Sequence, residues 1–259
     1  MYLSNFFADA DDDLIGCIRC RDARPLDLEL KMAFQPIVDV EQRSVFAYEA
    51  LVRGANGASA GQVLSAVKPE ELYSFDQTCR VLAIETAQRL GMDSYLSINF
   101  LPNAVYEPAS CIRLTLAAAR KVGFSPDRLI FEITESEKIH NPDHALKIIK
   151  DYRQRGFLTA IDDFGAGYSG LNLLAEFQPH IVKLDMALTR DIDRDAVRRA
   201  IVAGVIGTCN ALGCQIIAEG IESPEELDTL RKMGVSLFQG YLLARPGLES
   251  LPEPDMRYC

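Results

Sequence analysis

The chain has 259 residues, of which 48% are hydrophobic and 25% are charged. This composition is typical of a globular protein with one large or two small domains, and it excludes a disordered chain. The formal net charge of −10 argues against a surface that binds long nucleic acids through their phosphates. A small anionic ligand is compatible with this charge only if cations are supplied to meet it.

The chain start and the cysteines give expectations about location. The first residues lack the basic and apolar regions of a signal peptide, and no apolar run reaches the roughly 18–20 residues of a membrane span. Seven cysteines, an odd number scattered along the chain, indicate reduced thiols and a cytoplasmic protein. Residues 1–25, which include ADADDD, are expected to form a solvated acidic tail.

Two short patterns resemble metal sites, but the sequence favours simpler interpretations. Cys17 and Cys20 form a single C-x-x-C without a second pair, which is a weak zinc or redox signal. His140 and His144 are four residues apart, but Pro142 between them marks a helix start. We therefore expect surface or capping histidines there.

Short apolar or β-branched runs bounded by turn signals predict eight strands. In chain order they cover residues 31–38, 45–53, 95–100, 129–134, 157–164, 181–186, 214–221 and 237–243.

Helical patterns separate most of these strands from the second onward. Residues 74–91 have apolar spacings of three and four, 141–156 begin with Asn-Pro, and 223–234 open with a capping box of Ser223 and Glu226. Eight alternating strands in about 250 residues predict an α/β fold, a TIM-like (β/α)8 barrel. The link DVEQRS has no room for a helix, so the first strand is expected to be antiparallel to the second.

Polar residues occur in or next to every predicted strand. They are Gln35, Glu49, Arg53, Asn99, Glu132, Glu135, Asp162, Asp163, Lys183, Asp185, Glu219, Glu222 and Gln239. In a parallel barrel the carboxyl ends of the strands meet at one mouth, so these groups are expected to converge. So many acids would repel one another without cations, and an all-oxygen donor set selects Mg²⁺ or Mn²⁺ before zinc.

The stretch LTAIDDFGAGYSGL, residues 158–171, places two adjacent acids before a glycine-rich loop. Two carboxylates at one strand end allow one to bridge two ions while its neighbour holds the second, an arrangement used to cleave phosphodiesters. Lys183 in such a site can orient the attacking water or neutralise charge on the phosphorus centre.

The segment YEALVRG resembles the signature of EAL-domain cyclic di-GMP phosphodiesterases. FQPIV, SINF, FEITE, IDDFGAGYSGL, VKLD, AEGIE and FQGYLLARP follow the same family pattern in order, over about residues 30–248. The pattern is most similar to the branch found as output domains of blue-light sensors. We expect an EAL domain over 26–250 and a C-terminal tail over 251–259, and too few residues ahead of the domain for a flavin-binding sensor.

The resemblance implies a role for each matching residue. It implies metal ligands at Glu49, Asn99, Glu132, Asp162 and Asp163, with Asp162 bridging two ions. It implies that Lys183 contacts the nucleophilic water, and leaves open whether Glu219 binds near the second metal or acts as general base. It implies substrate contacts by Gln35, Leu51, Arg53, Asp185, Glu222, Gln239 and Pro246. It implies that Glu135 anchors a loop, including Gly165, Gly167 and Ser169, that couples the metal site to a homodimer interface.

Two segments depart from the family pattern. GAGYSGL replaces the commoner GTGYSSL but keeps the glycines and the serine, and the segment after Arg53 is shorter than usual, which affects guanine contacts rather than chemistry. The expected reaction is hydrolysis of cyclic di-GMP to linear pGpG with Mg²⁺ or Mn²⁺. The alternatives are a silent cyclic di-GMP receptor that acts through a partner and a different metal-dependent barrel enzyme. An upstream sensor protein acting in trans is compatible with either role.

Overall fold

The computed structural model describes residues 26–105, 107–134, 141–167 and 170–259. Eight strands close into a barrel in which β1 runs antiparallel to both β2 and β8, while all other neighbours from β2 to β8 are parallel. The expected barrel with an antiparallel first strand is confirmed. The strands are β1 Leu30–Asp39, β2 Ser44–Gly54, β3 Tyr95–Asn99, β4 Leu129–Thr134, β5 Leu158–Phe164, β6 Ile181–Leu184, β7 Gln215–Ala218, β8 Leu237–Phe238 and β9 Gly247–Leu248, the last pairing with β1.

Helices connect the parallel strands, and several begin at the capping residues that the sequence indicates. Asn141 accepts a hydrogen bond from the amide of His144, and Ser223 forms the predicted capping box with Glu226. The α-helices are α1 Ala60–Ala66, α2 Leu72–Arg89, α3 Pro108–Val122, α4 Pro142–Gln154, α5 Gly170–Phe177, α6 Met186–Thr189, α7 Ala196–Leu212 and α8 Pro224–Lys232. None of the helices in the described ranges is long and apolar enough to cross a membrane.

Four strands, β3, β6, β7 and β8, end earlier than their apolar runs suggest, and local contacts explain the ends of β6 and β8. β6 stops at Leu184 because Asp185 caps α6, its carboxylate accepting from the amide of Ala187. β8 stops at Phe238 because Gly240 lies directly against the backbone of Ile221, leaving no space for a Cβ atom. Both chain segments therefore turn away at the barrel mouth.

An apolar layer fills the lower interior of the barrel. Seven strands each contribute one buried residue to it: Ile37, Ala47, Ile130, Ala160, Ile181, Ile217 and Leu237. Because strand side chains alternate between faces, the next inward position on each strand lies two residues away. Those positions are Gln35, Glu49, Glu132, Asp162, Lys183, Glu219 and Gln239. The barrel thus has a polar layer directly above its apolar one.

A larger core separates the barrel from its helices. It includes a cluster of aromatic rings in which Phe131 contacts Phe100, Tyr152 and Phe157. Residues at the chain end also pack against this core, and Arg43 donates hydrogen bonds to the carbonyls of Met256 and Cys259. The closing segment therefore contacts the barrel.

Candidate active site

Lys183 lies at the centre of the polar layer and is almost completely buried. Its Nζ is 2.8 Å from Asp162 Oδ1 and 2.8 Å from Glu219 Oε1. It is also 3.1 Å from Glu132 Oε2 and 3.5 Å from Glu49 Oε2. Strands β2, β4 and β5 and the residue that follows β7 therefore present carboxyl groups to one amine, which brings these five predicted residues together.

Burial and neighbouring charges shift the ionisation of this cluster. Burial alone would lower the pKa of Lys183, but Asp162, Glu132 and Glu219 together raise its pKa well above the usual value. The surrounding acids therefore favour the charged, hydrogen-bond-donating form of Lys183. Burial, together with Glu49 and Asp162 and opposed by Lys183, raises the pKa of Glu132 to about 8. Burial likewise raises the pKa of Glu219 well above its usual value, although Lys183 opposes this.

The β1–β2 hairpin holds Glu49 in place. Gln35 and Glu49 are paired across the two strands, so both face into the barrel. Glu49 accepts hydrogen bonds from Asn99 Nδ2 at 2.9 Å and from Gln239 Nε2 at 2.7 Å. With Nδ2 used in this way, the carbonyl oxygen of Asn99 is the atom suited to a metal ion.

Asp162 and Asp163 both reach the barrel mouth although adjacent strand residues normally point to opposite faces. The register between β5 and β6 shifts between Ile161 and Phe164, and Asp163 has a φ of 53°. This bulge with a left-handed residue turns the second carboxylate to the side of the first. Burial, together with Asp162 and Asp185, raises the pKa of Asp163 to about 6.

The carboxylates form two overlapping sets with the spacing of metal ligands. Oxygens of Glu49, Glu132 and Asp162 lie within 4.8 Å of one another, and so do oxygens of Asp162, Asp163 and Glu219. Asp162 belongs to both sets. Lys183 contributes one positive charge among five acidic side chains, and these oxygen donors suit hard divalent cations. The residues present therefore fit two adjacent divalent ions.

Two cavities meet at this cluster, and both are lined by Glu49, Asp162 and Asp163. The first is about 500 Å³ and mostly apolar, with Leu51 and Leu101 in its wall. The second is about 400 Å³, and the residues that complete its polar wall are Gln35, Asp185, Glu219, Glu222 and Gln239. The structure thus divides the predicted substrate contacts between two sides of the acid cluster.

Three predicted substrate contacts have other partners or positions. Arg53 donates a hydrogen bond to the carbonyl of Val52, and neither it nor Pro246 belongs to the lining of these two cavities. The half-exposed carboxylate of Glu222 is 3.0 Å from Arg190 Nη1. A phosphate contact by Arg53 would replace or add to its hydrogen bond with Val52.

The glycine loop begins with a residue that its backbone requires to be glycine. Gly165 has a φ of 99°, and a side chain there would overlap Leu188. Gly167 is a described part of the same loop, whereas Glu135 and Ser169 lie outside the described residues. The acidic tail 1–25, Cys17, Cys20 and His140 also lie outside them.

Sequence reasoning missed Ser97, a buried residue on β3 whose hydroxyl donates to Glu132 Oε1. This hydrogen bond orients one of the predicted ligands. The alternation within YLSINF is the signal that could have found it, because Ser97 lies two residues before Asn99 and therefore on the same face.

Comparison with known protein families matches residues 21–246 to the EAL domain. The blue light- and temperature-regulated antirepressor BluF of Escherichia coli is 34% identical over 221 residues, which are 85% of this chain and 55% of BluF. The cyclic di-GMP phosphodiesterase PdeR of E. coli is 42% identical over 115 residues, 44% of this chain and 17% of PdeR. The chain therefore spans about half the length of BluF and much less of PdeR.

Two solved structures are similar over most of the chain. A standalone EAL protein from Vibrio cholerae O395, in a c-di-GMP bound form, is 50% identical with a TM-score of 0.87, covering 90% of this chain and 98% of that chain. Klebsiella pneumoniae BlrP1 in a manganese and cyclic di-GMP complex at pH 9.0 is 35% identical with a TM-score of 0.82. The match covers 98% of this chain and 67% of the BlrP1 chain.

Proposed function

This chain belongs to the EAL-domain family, and we propose that it hydrolyses one phosphodiester bond of cyclic di-GMP to give linear pGpG, using two Mg²⁺ or Mn²⁺ ions. Relatives support this substrate, because PdeR is named a cyclic di-GMP phosphodiesterase and the V. cholerae protein was solved with c-di-GMP bound. The BlrP1 complex with manganese supports the use of a divalent cation.

The observation that carries the proposal is the pair of overlapping carboxylate sets that share Asp162 around Lys183. Glu49, Asn99, Glu132 and Asp162 would hold one ion, and Asp162 with Asp163 would hold the other. Two such ions would supply an activated water and charge neutralisation at the phosphate.

Lys183 is the group we assign to orienting the attacking water. As a buried amine held by four acidic side chains, it can donate a hydrogen bond to that water. Glu219 has two candidate roles, as a ligand beside Asp163 or as the acceptor of the proton from water. Its contacts with Lys183 are compatible with both.

The two cavities are consistent with a substrate that extends to both sides of its scissile phosphodiester. Cyclic di-GMP has one guanine on each side of such a bond. We assign one base to the side of Leu51 and the other to the side of Gln35, Asp185, Glu222 and Gln239. Arg53 would turn from the Val52 carbonyl to meet a phosphate, and Pro246 would contact the base on the second side.

The test compares the wild type with Asp163→Asn, which keeps the size of the side chain and, as asparagine, tolerates the left-handed backbone. With Mn²⁺ and cyclic di-GMP, we expect linear pGpG from the wild type and at least about a hundredfold less from the variant, because one ligand charge is lost. Products are separated by chromatography. Full activity of the wild type in excess chelator would contradict the metal-dependent mechanism.

A second candidate is a cyclic di-GMP receptor that signals through a partner without hydrolysis. BluF favours it, because its name describes an antirepressor rather than an enzyme. In the same experiment, this role predicts that the wild type binds intact cyclic di-GMP, measured by calorimetry, and releases no pGpG. A pGpG yield that depends on Asp163 would exclude it.

We further propose a homodimer that acts in the cytoplasm, with a sensor supplied in trans. Large apolar side chains are exposed on α5, which follows the glycine loop, and on α7: Leu171, Val197 and Ile201. The five cysteines within the described residues are all free thiols, as expected in a reducing compartment. BluF and BlrP1 are longer than this chain, which leaves room in them for other domains.

A further inference from the structure

A buried ion pair lies in α2, outside the acid cluster. Arg80 and Asp76 are one helical turn apart, with Arg80 Nη2 2.8 Å from Asp76 Oδ2. Arg80 is completely buried and Asp76 is 2% exposed. A charge pair this deep loses the hydration of both groups, so its stabilising effect is small compared with that of a well-packed apolar pair.

Arg80 also connects three aromatic side chains behind the site. Its Nη1 donates a hydrogen bond to the Tyr152 hydroxyl at 2.7 Å. The guanidinium carbon lies 5.3 Å from the ring centre of Phe100 and 5.4 Å from that of Phe131. The hydrogen bond to Tyr152, the ion pair with Asp76 and the ring contacts together favour one orientation of this planar cation.

These contacts are made by the chain neighbours of two proposed metal ligands. Phe100 follows Asn99, and Phe131 precedes Glu132. The carboxylate of Asp76 accepts a hydrogen bond from the amide of Leu101 at 3.0 Å. In addition, the amide of Phe100 donates to the carbonyl of Glu132 at 3.1 Å. The ion pair therefore contacts the carboxyl ends of β3 and β4 from α2, on the outer side of the barrel.

We propose that Asp76 and Arg80 are positioning residues that set the placement of Asn99 and Glu132 and thereby the affinity of the site for divalent cations. The inference rests on the proposed function for the assignment of those two ligands. Residues that orient metal ligands from behind typically change metal affinity by about 10- to 100-fold when altered. Asp76 lies in the wall of the first cavity, whereas Arg80 lines neither cavity. The readout is therefore Mn²⁺ affinity without substrate, which the pair affects through the ends of β3 and β4.

The test replaces the pair by apolar residues of similar size, Asp76→Leu with Arg80→Met. Such a replacement commonly keeps a protein folded, because no unpaired charge is left behind. We expect a cooperative melting transition and Mn²⁺ binding at least about tenfold weaker, measured from the electron paramagnetic resonance signal of free Mn²⁺. Val202→Ala, a buried change on α7, is the control that should lower stability without altering Mn²⁺ affinity.

Arg80→Lys provides a second variant that keeps the positive charge beside Asp76. It loses the planar group that contacts Phe100, Phe131 and Tyr152, so we expect Mn²⁺ binding several-fold weaker than in the wild type. Wild-type Mn²⁺ affinity in either folded variant would overturn the inference.

The outcomes separate this inference from the proposed function. Wild-type protein that binds Mn²⁺ without hydrolysing cyclic di-GMP, together with weaker binding by the variants, would support the positioning role and refute the phosphodiesterase. Hydrolysis by the wild type, together with unchanged Mn²⁺ binding in the variants, would support the phosphodiesterase and refute the positioning role. Wild-type protein that binds no Mn²⁺ would refute both.

Discussion

A single residue, Lys183, determines the electrostatics of the barrel mouth. It is the partner of carboxyl groups on β2, β4 and β5 and of Glu219 directly after β7, so it offsets repulsion that would otherwise separate these segments. In the metal-free protein this ammonium stabilises the site, and in the proposed reaction it meets the water. The same position thus serves folding and chemistry.

Lys183→Met keeps an unbranched side chain, one atom shorter, and removes the charge. Because unpaired buried carboxylates remain, we expect the free energy of unfolding without metal to fall by about 3–5 kcal/mol. Binding of Mn²⁺ should restore part of the lost stability, since a ligand at about 100 times its Kd adds about 2.7 kcal/mol to the free energy of unfolding. Thermal melts with and without Mn²⁺ measure both effects.

Lys150→Met is the control for this change, because it removes a lysine from the exposed face of α4. Its melting temperature should stay close to that of the wild type. If Lys183→Met melted like this control, the ammonium would not be stabilising the acid cluster.

His180, just before β6, gives a prediction about pH. Its Nδ1 accepts a hydrogen bond from the amide of Thr159 at 3.0 Å, and burial together with Arg153 lowers its pKa. The unfolded chain therefore takes up a proton at higher pH than the folded one. The stabilisation is complete above the ordinary histidine pKa of about 6.5 and decreases as pH falls toward the lower folded pKa.

The variant His180→Asn isolates this effect, because Oδ1 can accept the Thr159 amide without titrating. We expect unfolding midpoints in urea to fall less for the variant than for the wild type between pH 7 and pH 5. The comparison with the variant is needed because the raised pKa of Asp163, about 6, has the opposite effect: it increases the free energy of unfolding as the pH falls. This effect is present in both proteins and cancels in the comparison. Identical pH profiles would contradict the assignment.

At the scale of elements, α8 shows how one helix start organises a loop beside the site. Ser223 and Glu226 form the capping box, and the buried Glu226 also accepts the amides of Glu222 and Asp191. Two loops that reach the mouth are thereby attached to one helix end. The position of Glu222 depends on this attachment.

We expect Ser223→Ala to reduce the free energy of unfolding by about 1 kcal/mol, the usual effect of losing an N-cap hydroxyl. Guanidinium unfolding measures it. Ser65→Ala is the matched control, because Ser65 lies within α1 and its hydroxyl donates to the carbonyl of Gly61 one turn earlier. Equal effects of the two changes would argue against the capping role.

The barrel strands show how well apolar runs predict the positions and the ends of strands. Apolar runs located all eight barrel strands, because burial on both faces selects such residues. The runs overestimated β3, β6, β7 and β8, since a run continues where the backbone has already turned. Asp185 ends β6 through a helix cap, and Gly240 ends β8 through a close backbone approach.

At the scale of the whole molecule, barrel closure is what assembles the site. β1 pairs with β2 and β8, which brings Gln35 and Gln239 next to Glu49. Residues separated by about two hundred positions thus share one hydrogen-bond network. In the proposed homodimer, the exposed apolar side chains on α5 and α7 would contact the partner chain.

We expect light scattering to give twice the chain mass for the wild type. Leu171→Asp places a charge on the exposed apolar surface of α5 and should shift the mass toward that of one chain. Leu248→Asp, a similar change at exposed β9, should leave the dimer intact. A monomeric wild type with full activity would remove the dimer from the proposal.

The sequence by itself determined the barrel class, the antiparallel first strand and the set of residues at the strand ends. These follow from local features: apolar periodicity, caps and the length of a linker. It also predicted an acidic, oxygen-rich site, because the acids stand at fixed positions along the strands.

Only the tertiary structure decided how those residues meet. Asp163 joins Asp162 through a left-handed bulge, Ser97 orients Glu132 across strands, and Asp76 with Arg80 holds the ends of β3 and β4 from behind. Each depends on contacts between residues distant in the chain or on a backbone angle set by its neighbours. Alternation along β3 places Ser97 on the inward face, but it does not identify Glu132 as its partner, because that contact exists only once the barrel has closed.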